Sequence, residues 1–128
     1  MDRSEEYRTW IDLADTDYRS AEFLTGMIPV PGEIICFHCQ QSAEKYLKAF
    51  LVFQGIPFEK THNLTALLKE CILVDTEFEI LKVPCARLNV YGVEIRYPTN
   101  LSIDTPDIDL AIKDAQAVKT TILKKIGA

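Results

Sequence analysis

The chain has 128 residues, 48% of them hydrophobic, which suits one domain over residues 1–128 with its own core and excludes disorder or a small disulfide-stapled scaffold. Fourteen Lys and Arg against nineteen Asp and Glu give a net charge of −5 and a pI near 5.0, which argues against a general DNA-coating protein. The longest stretches without a charge are ten residues, half of what a membrane-spanning helix needs, so no membrane segment is expected. Met1-Asp2-Arg3-Ser4-Glu5-Glu6 has no apolar run behind it, so no signal peptide and a cytoplasmic location are expected, with the four cysteines reduced.

Apolar residues recur at helical spacing through nearly the whole chain. In the first segment Tyr7, Trp10, Ala14, Tyr18, Ala21, Leu24 and Ile28 fall every three or four residues, until Pro29-Val30-Pro31-Gly32 stops the pattern. In the second, Cys36, Cys39, Ala43, Leu47 and Phe50 trace a stripe that Phe37, Tyr46 and Phe53 broaden. A stripe that wide predicts burial on two sides, inside a bundle or at a subunit contact. Gly55-Ile56-Pro57 ends it. Thr61-His62-Asn63 offers capping side chains for a short helix from Leu64 to about Leu73.

Thr76-Glu77-Phe78-Glu79 reads as a capping box for a fourth helix, with Pro84 forcing a kink or a restart and Tyr97-Pro98 ending it near Arg96. Thr105-Pro106-Asp107 reads as a hydroxyl cap, a proline at the first helical position and a carboxylate near the dipole's positive end. The last helix turns Ile108, Ala111, Ala115, Val118, Ile122 and Ile126 inward. Lys113, Lys119, Lys124 and Lys125 fall around several of its faces and read as solvated surface. No segment alternates with period two. The expectation is an all-α, up-and-down antiparallel bundle of about five helices.

Few residues suggest chemistry. Cys36 and Cys39 share a helix face, but Cys71 and Cys85 are single and far apart, unlike the paired ligands of a structural zinc site. The cysteines read as core, and no metal or cofactor is expected. Glu44 and Glu94 sit mid-helix, as bundle di-metal carboxylates do, without the Glu-x-x-His partner such a site requires. His38 reads as a surface or interface side chain. His62, just before a helix, either meets a ligand or packs against the Gly55–Pro57 turn. Tyr91, Arg96 and Tyr97 form the strongest polar group: a guanidinium fork at a helix end suits phosphate or carboxylate, or else anchors the following loop.

Cys36-Phe37-His38-Cys39-Gln40-Gln41-Ser42-Ala43-Glu44-Lys45-Tyr46-Leu47-Lys48-Ala49, then Gly55-Ile56-Pro57, Thr61-His62-Asn63-Leu64 and the later Tyr91…Arg96-Tyr97-Pro98, resemble the HEPN domain family from about Asp12 to Ile126. The resemblance implies a five-helix bundle, usually a homodimer. It also implies a partner, since many small members are encoded beside a minimal nucleotidyltransferase in toxin–antitoxin or related modules. Members bind nucleotides, and many are metal-independent endoribonucleases with arginine, four to six residues, then histidine at the dimer cleft. This sequence departs from that motif, because no arginine is followed by histidine at that spacing. General acid–base help is worth about 10²–10⁴ in rate, so its loss predicts little cleavage by that route. The resemblance therefore implies a dimeric nucleotide- or RNA-binding module with Arg96, Tyr91, Tyr97 and His62 as candidate contacts and no catalytic residue. The alternatives are a ribonuclease whose base is His62 and a purely structural assembly module.

Overall fold

A computed structural model describes residues 2–92 and 103–127, and the described residues form five α-helices and no strand. They are α1 (Arg3–Leu24), α2 (Gly32–Phe53), α3 (Leu64–Val74), α4 (Lys82–Asn89) and α5 (Thr105–Ile126), with single 3-10 turns at Thr76–Leu81 and Val90–Gly92. The all-α bundle expected from the periodicity is the fold. No helix among the described residues is long and apolar enough to cross a membrane.

The wide apolar stripe makes α2 the axis of the bundle: fifteen of its 22 residues are buried, and α1, α3, α4 and α5 all pack against it. Of Phe37, Cys39, Tyr46, Phe50 and Phe53, whose spread suggested a subunit contact, Cys39, Tyr46 and Phe50 lie inside the protomer's own core, while Phe37 and Phe53 are partly buried. Phe50 meets Phe78 with ring centroids 4.6 Å apart, while the partly buried Phe53 packs edge-on against Tyr7. All four cysteines are free and buried. Burial pushes the Cys36 thiol up to about 11 and those of Cys71 and Cys85 up to about 12, as expected of core residues.

Several boundaries differ from the sequence reading. Helix α1 ends at Leu24, so Ile28 lies outside it and is 93% exposed. Asp75, not Thr76, caps the segment after α3, accepting from the Glu77 amide at 2.9 Å. That segment is a 3-10 turn, and a new helix starts at Lys82 with Pro84 in its first turn, where a missing N–H costs nothing. Helix α4 ends at Asn89 rather than near Arg96, and residues 93–102 lie outside the described residues.

At α5 the cap is Asp104, one residue before the expected Thr105. Its carboxylate takes the Asp107 amide at 3.2 Å while the Asp107 carboxylate takes the Asp104 amide at 3.0 Å. Two of the lysines read as solvated are paired: Lys119 with Asp15 at 3.0 Å, and Lys125 with Asp75 at 2.7 Å and Glu77 at 3.1 Å. Arg87 holds the buried Asp114 of α5 through two hydrogen bonds, at 2.9 and 2.8 Å.

Candidate functional site

One face of α2 carries Cys36, Gln40 and Glu44, four residues apart and therefore stacked along the helix. The two sequence-distant candidates, His62 and Tyr91, both come to this face. The start of α3 and the end of α4 bring them there. The Asn63 side chain caps α3, accepting from the Thr65 and Ala66 amides at 3.0 and 3.3 Å. Asn89, the last residue of α4, accepts the Leu64 amide at 2.8 Å and donates to Asn63 Oδ1 at 3.2 Å. These bonds tie the residue after His62 to the residue two before Tyr91.

Gln40 sits between the two candidates. Its Nε2 donates to the His62 carbonyl at 2.9 Å and its Oε1 accepts from Gln41 Nε2 at 2.7 Å. Gly92 lies against the same side chain: a Cβ there would meet Gln40 Nε2 at 2.9 Å, so a larger residue would push the Gln40 amide from its bond to His62. Tyr91 is partly buried beside the Cys36 thiol, and burial pushes that phenol up to about 12. It is therefore a neutral phenol, not an anion.

The His62 imidazole meets Glu44, with Nδ1 2.9 Å from Oε1. An ionised carboxylate only accepts, so Nδ1 carries the proton and Nε2 is the acceptor of the neutral ring. Glu44 is 4% exposed at its side chain, and its second oxygen takes Lys48 Nζ at 3.0 Å; Lys48 is 8% exposed and the His62 side chain 58%. Trp10 and Phe58 pack around the lysine, their ring centroids 5.5 and 5.8 Å from Nζ. The result is a buried ion pair holding an exposed imidazole in one orientation. The Glu44 contact was not foreseen for His62 in the sequence. Among the described residues no group of three or more His, Cys, Asp or Glu side chains could hold a metal ion.

Tyr91 and His62 are thus brought to one face of α2, while Arg96, Tyr97 and Glu94 lie outside the described residues. Gln40, Glu44 and Lys48 were not singled out as a unit from the sequence. The Glu44–Lys48 spacing of four was visible there, but nothing local showed that Gln40 would meet a residue 22 positions away.

With the helix order and this face established, comparison with known proteins gives the class. The HEPN domain model matches residues 7–126, so the chain belongs to the HEPN family. It is also similar to an archaeal HEPN homologue of known crystal structure, at 25% identity over 94% of this chain and 97% of that one, with a TM-score of 0.73. No curated protein matches the chain.

Proposed function

We propose that this HEPN protein is a homodimeric binding module with little or no catalytic activity. On this reading it takes a nucleotide, an RNA end or a minimal nucleotidyltransferase partner on the face defined by His62 and Tyr91, with Arg96 and Tyr97 completing the contact. The observation that carries the reading is the convergence of His62 and Tyr91 on one face of α2 through Gln40 and Gly92, four residues before Arg96 in the sequence. An imidazole nitrogen and a neutral phenol supply hydrogen bonds, a guanidinium fork matches phosphate bidentately, and a tyrosine ring offers a base about 1–3 kcal/mol of stacking. The acidic net charge favours a protein partner or a small nucleotide over long RNA.

Arg96 variants test it, with AMP and a 5′-phosphorylated oligoribonucleotide as probes. Lysine keeps the charge and loses the fork, so Arg96→Lys and Arg96→Ala should both weaken binding, by about tenfold for the alanine, at nearly constant Tm. A large fall in Tm at unchanged affinity would make Arg96 a structural cap. A neighbouring reading frame encoding a small nucleotidyltransferase would support the partner reading.

The His62–Glu44 contact favours one second reading. A carboxylate behind Nδ1 with Nε2 exposed is how general bases are oriented, so a ribonuclease using His62 is the enzyme alternative. Metal-independent RNA cleavage that survives purification and vanishes in His62→Ala would establish it.

A further inference from the structure

A second imidazole is held on the opposite side of α2. At 100° per residue, His38 and Lys45 lie roughly 140–160° around the helix from Gln40. Both reach the same carboxylate on α1: His38 Nδ1 is 2.9 Å from Asp17 Oδ1, and Lys45 Nζ is 2.6 Å from Oδ2. Asp17 is buried, so both of its oxygens are spent on these two groups. The contact fixes Nδ1 of His38 as a donor and leaves Nε2 without a partner among the described residues.

His38 lines a cleft of about 640 Å³ along α1, within the size range of small-molecule sites. Arg19 lines it too, exposed and outside every ion pair formed among the described residues. Phe23 presents an 83% exposed ring, and Leu24 adds apolar wall. The Ser20 hydroxyl donates to the Thr16 carbonyl at 2.7 Å, leaving its lone pairs to the cleft. Glu22 also lines the cleft and opposes an anion there. A clamp between α1 and α2 would be complete with Lys45 alone. It has no use for an oriented imidazole with a spare nitrogen at a cleft beside an unpaired guanidinium and an exposed ring.

We propose that this cleft is a second ligand site, separate from the His62–Tyr91 face, for a phosphate monoester borne on a flat ring. Arg19 would grip the phosphate, His38 Nε2 would meet one phosphate oxygen, and Phe23 would stack on the ring. Phosphate fits better than carboxylate because, with two of its oxygens on the guanidinium fork, it still offers a third, as P–OH, to His38 Nε2.

The test is a titration of the full chain with phenyl phosphate, following the ring signals of both histidines by NMR. The expected result is a saturable shift at His38, with inorganic phosphate and benzyl alcohol each binding more weakly because each supplies half of the ligand. Arg19→Gln, at an exposed position that leaves the fold intact, should weaken binding about tenfold. Glu22→Gln should tighten it a few-fold by removing the like charge. Three results would each overturn the proposal: no saturable shift up to about 10 mM, affinity unchanged in Arg19→Gln, or shifts confined to the His62 ring. The last would move the anion to the opposite face and leave the function proposed above standing.

Discussion

Glu44 and Lys48 show at single-residue scale what the bundle costs to build. Both charges are almost fully withdrawn from water, and their attraction offsets that desolvation only while both are present. Removing one partner strands the other. Glu44→Leu and Lys48→Met should each destabilise the protein by about 3 kcal/mol in urea unfolding, and the double variant should recover most of the loss. His62→Gln should cost under about 1 kcal/mol, because its end of the contact is exposed. A double variant as unstable as the sum of the singles would show the pair to be independent. The cysteines give a prediction with a definite sign. Burial raises the thiols of Cys36, Cys71 and Cys85 from 9.0, so above pH 9 the unfolded chain loses those protons while the folded chain keeps them. The protonated thiols' full contribution is present below pH 9 and is lost as pH rises toward the folded values of about 11 to 12. Between pH 8 and 10 each should account for about 1 kcal/mol of lost unfolding free energy. Urea curves at the two pH values check this, and Cys71→Ala should flatten the dependence.

At the scale of elements, the sequence located all five helices because each has an apolar stripe and a stop signal, and both are local properties. Their ends were harder. Asp104 and Thr105 are adjacent residues of similar capping propensity, and what selects the aspartate is its reciprocal bond with Asp107. Asp104→Ala should therefore cost about 1 kcal/mol and Thr105→Ala only a few tenths, a difference that thermal unfolding resolves. Equal losses would return the cap to Thr105. The 3-10 turn at Thr76–Leu81 was missed for a related reason: Phe78 and Leu81, three residues apart, suit an α-helix as well as a tighter turn. The candidate face was half readable. His62 and Tyr91 could be chosen because polar and aromatic residues at helix ends meet ligands, whereas Gln40, which joins them, stands in a helix interior and gains its role only from what folds against it. His38 looked like a plain surface residue for the same reason, since Asp17 lies 21 positions away on another helix.

At the scale of the whole molecule, the wide stripe of α2 leaves only Phe37 and Phe53 partly exposed for a dimer contact. Cys39, Tyr46 and Phe50 are consumed by the protomer's own core and have nothing left for a partner. Among the described residues, two groups of exposed apolar side chains offer more. One is the α1–α2 tip, where Met27, Ile28, Val30 and Ile34 are exposed. The other follows the Thr76–Leu81 turn and α4, where Ile80, Val83 and Val90 are exposed at helical spacing. A two-fold dimer buries about 800 Å² on each partner and uses the same patch twice, so one of these surfaces should serve. Light scattering at micromolar concentration should give twice the 14.5 kDa of the chain. Of Ile34→Glu and Val83→Glu, the one in the dimer patch should produce monomer, because a two-fold axis duplicates the buried charge. The other should leave the dimer intact. Because both positions are exposed in the protomer, either variant should keep the wild-type helical circular dichroism, separating lost assembly from lost folding. A wild-type mass of 14.5 kDa would refute the homodimer, and a dimer indifferent to both substitutions would place its contact on neither patch.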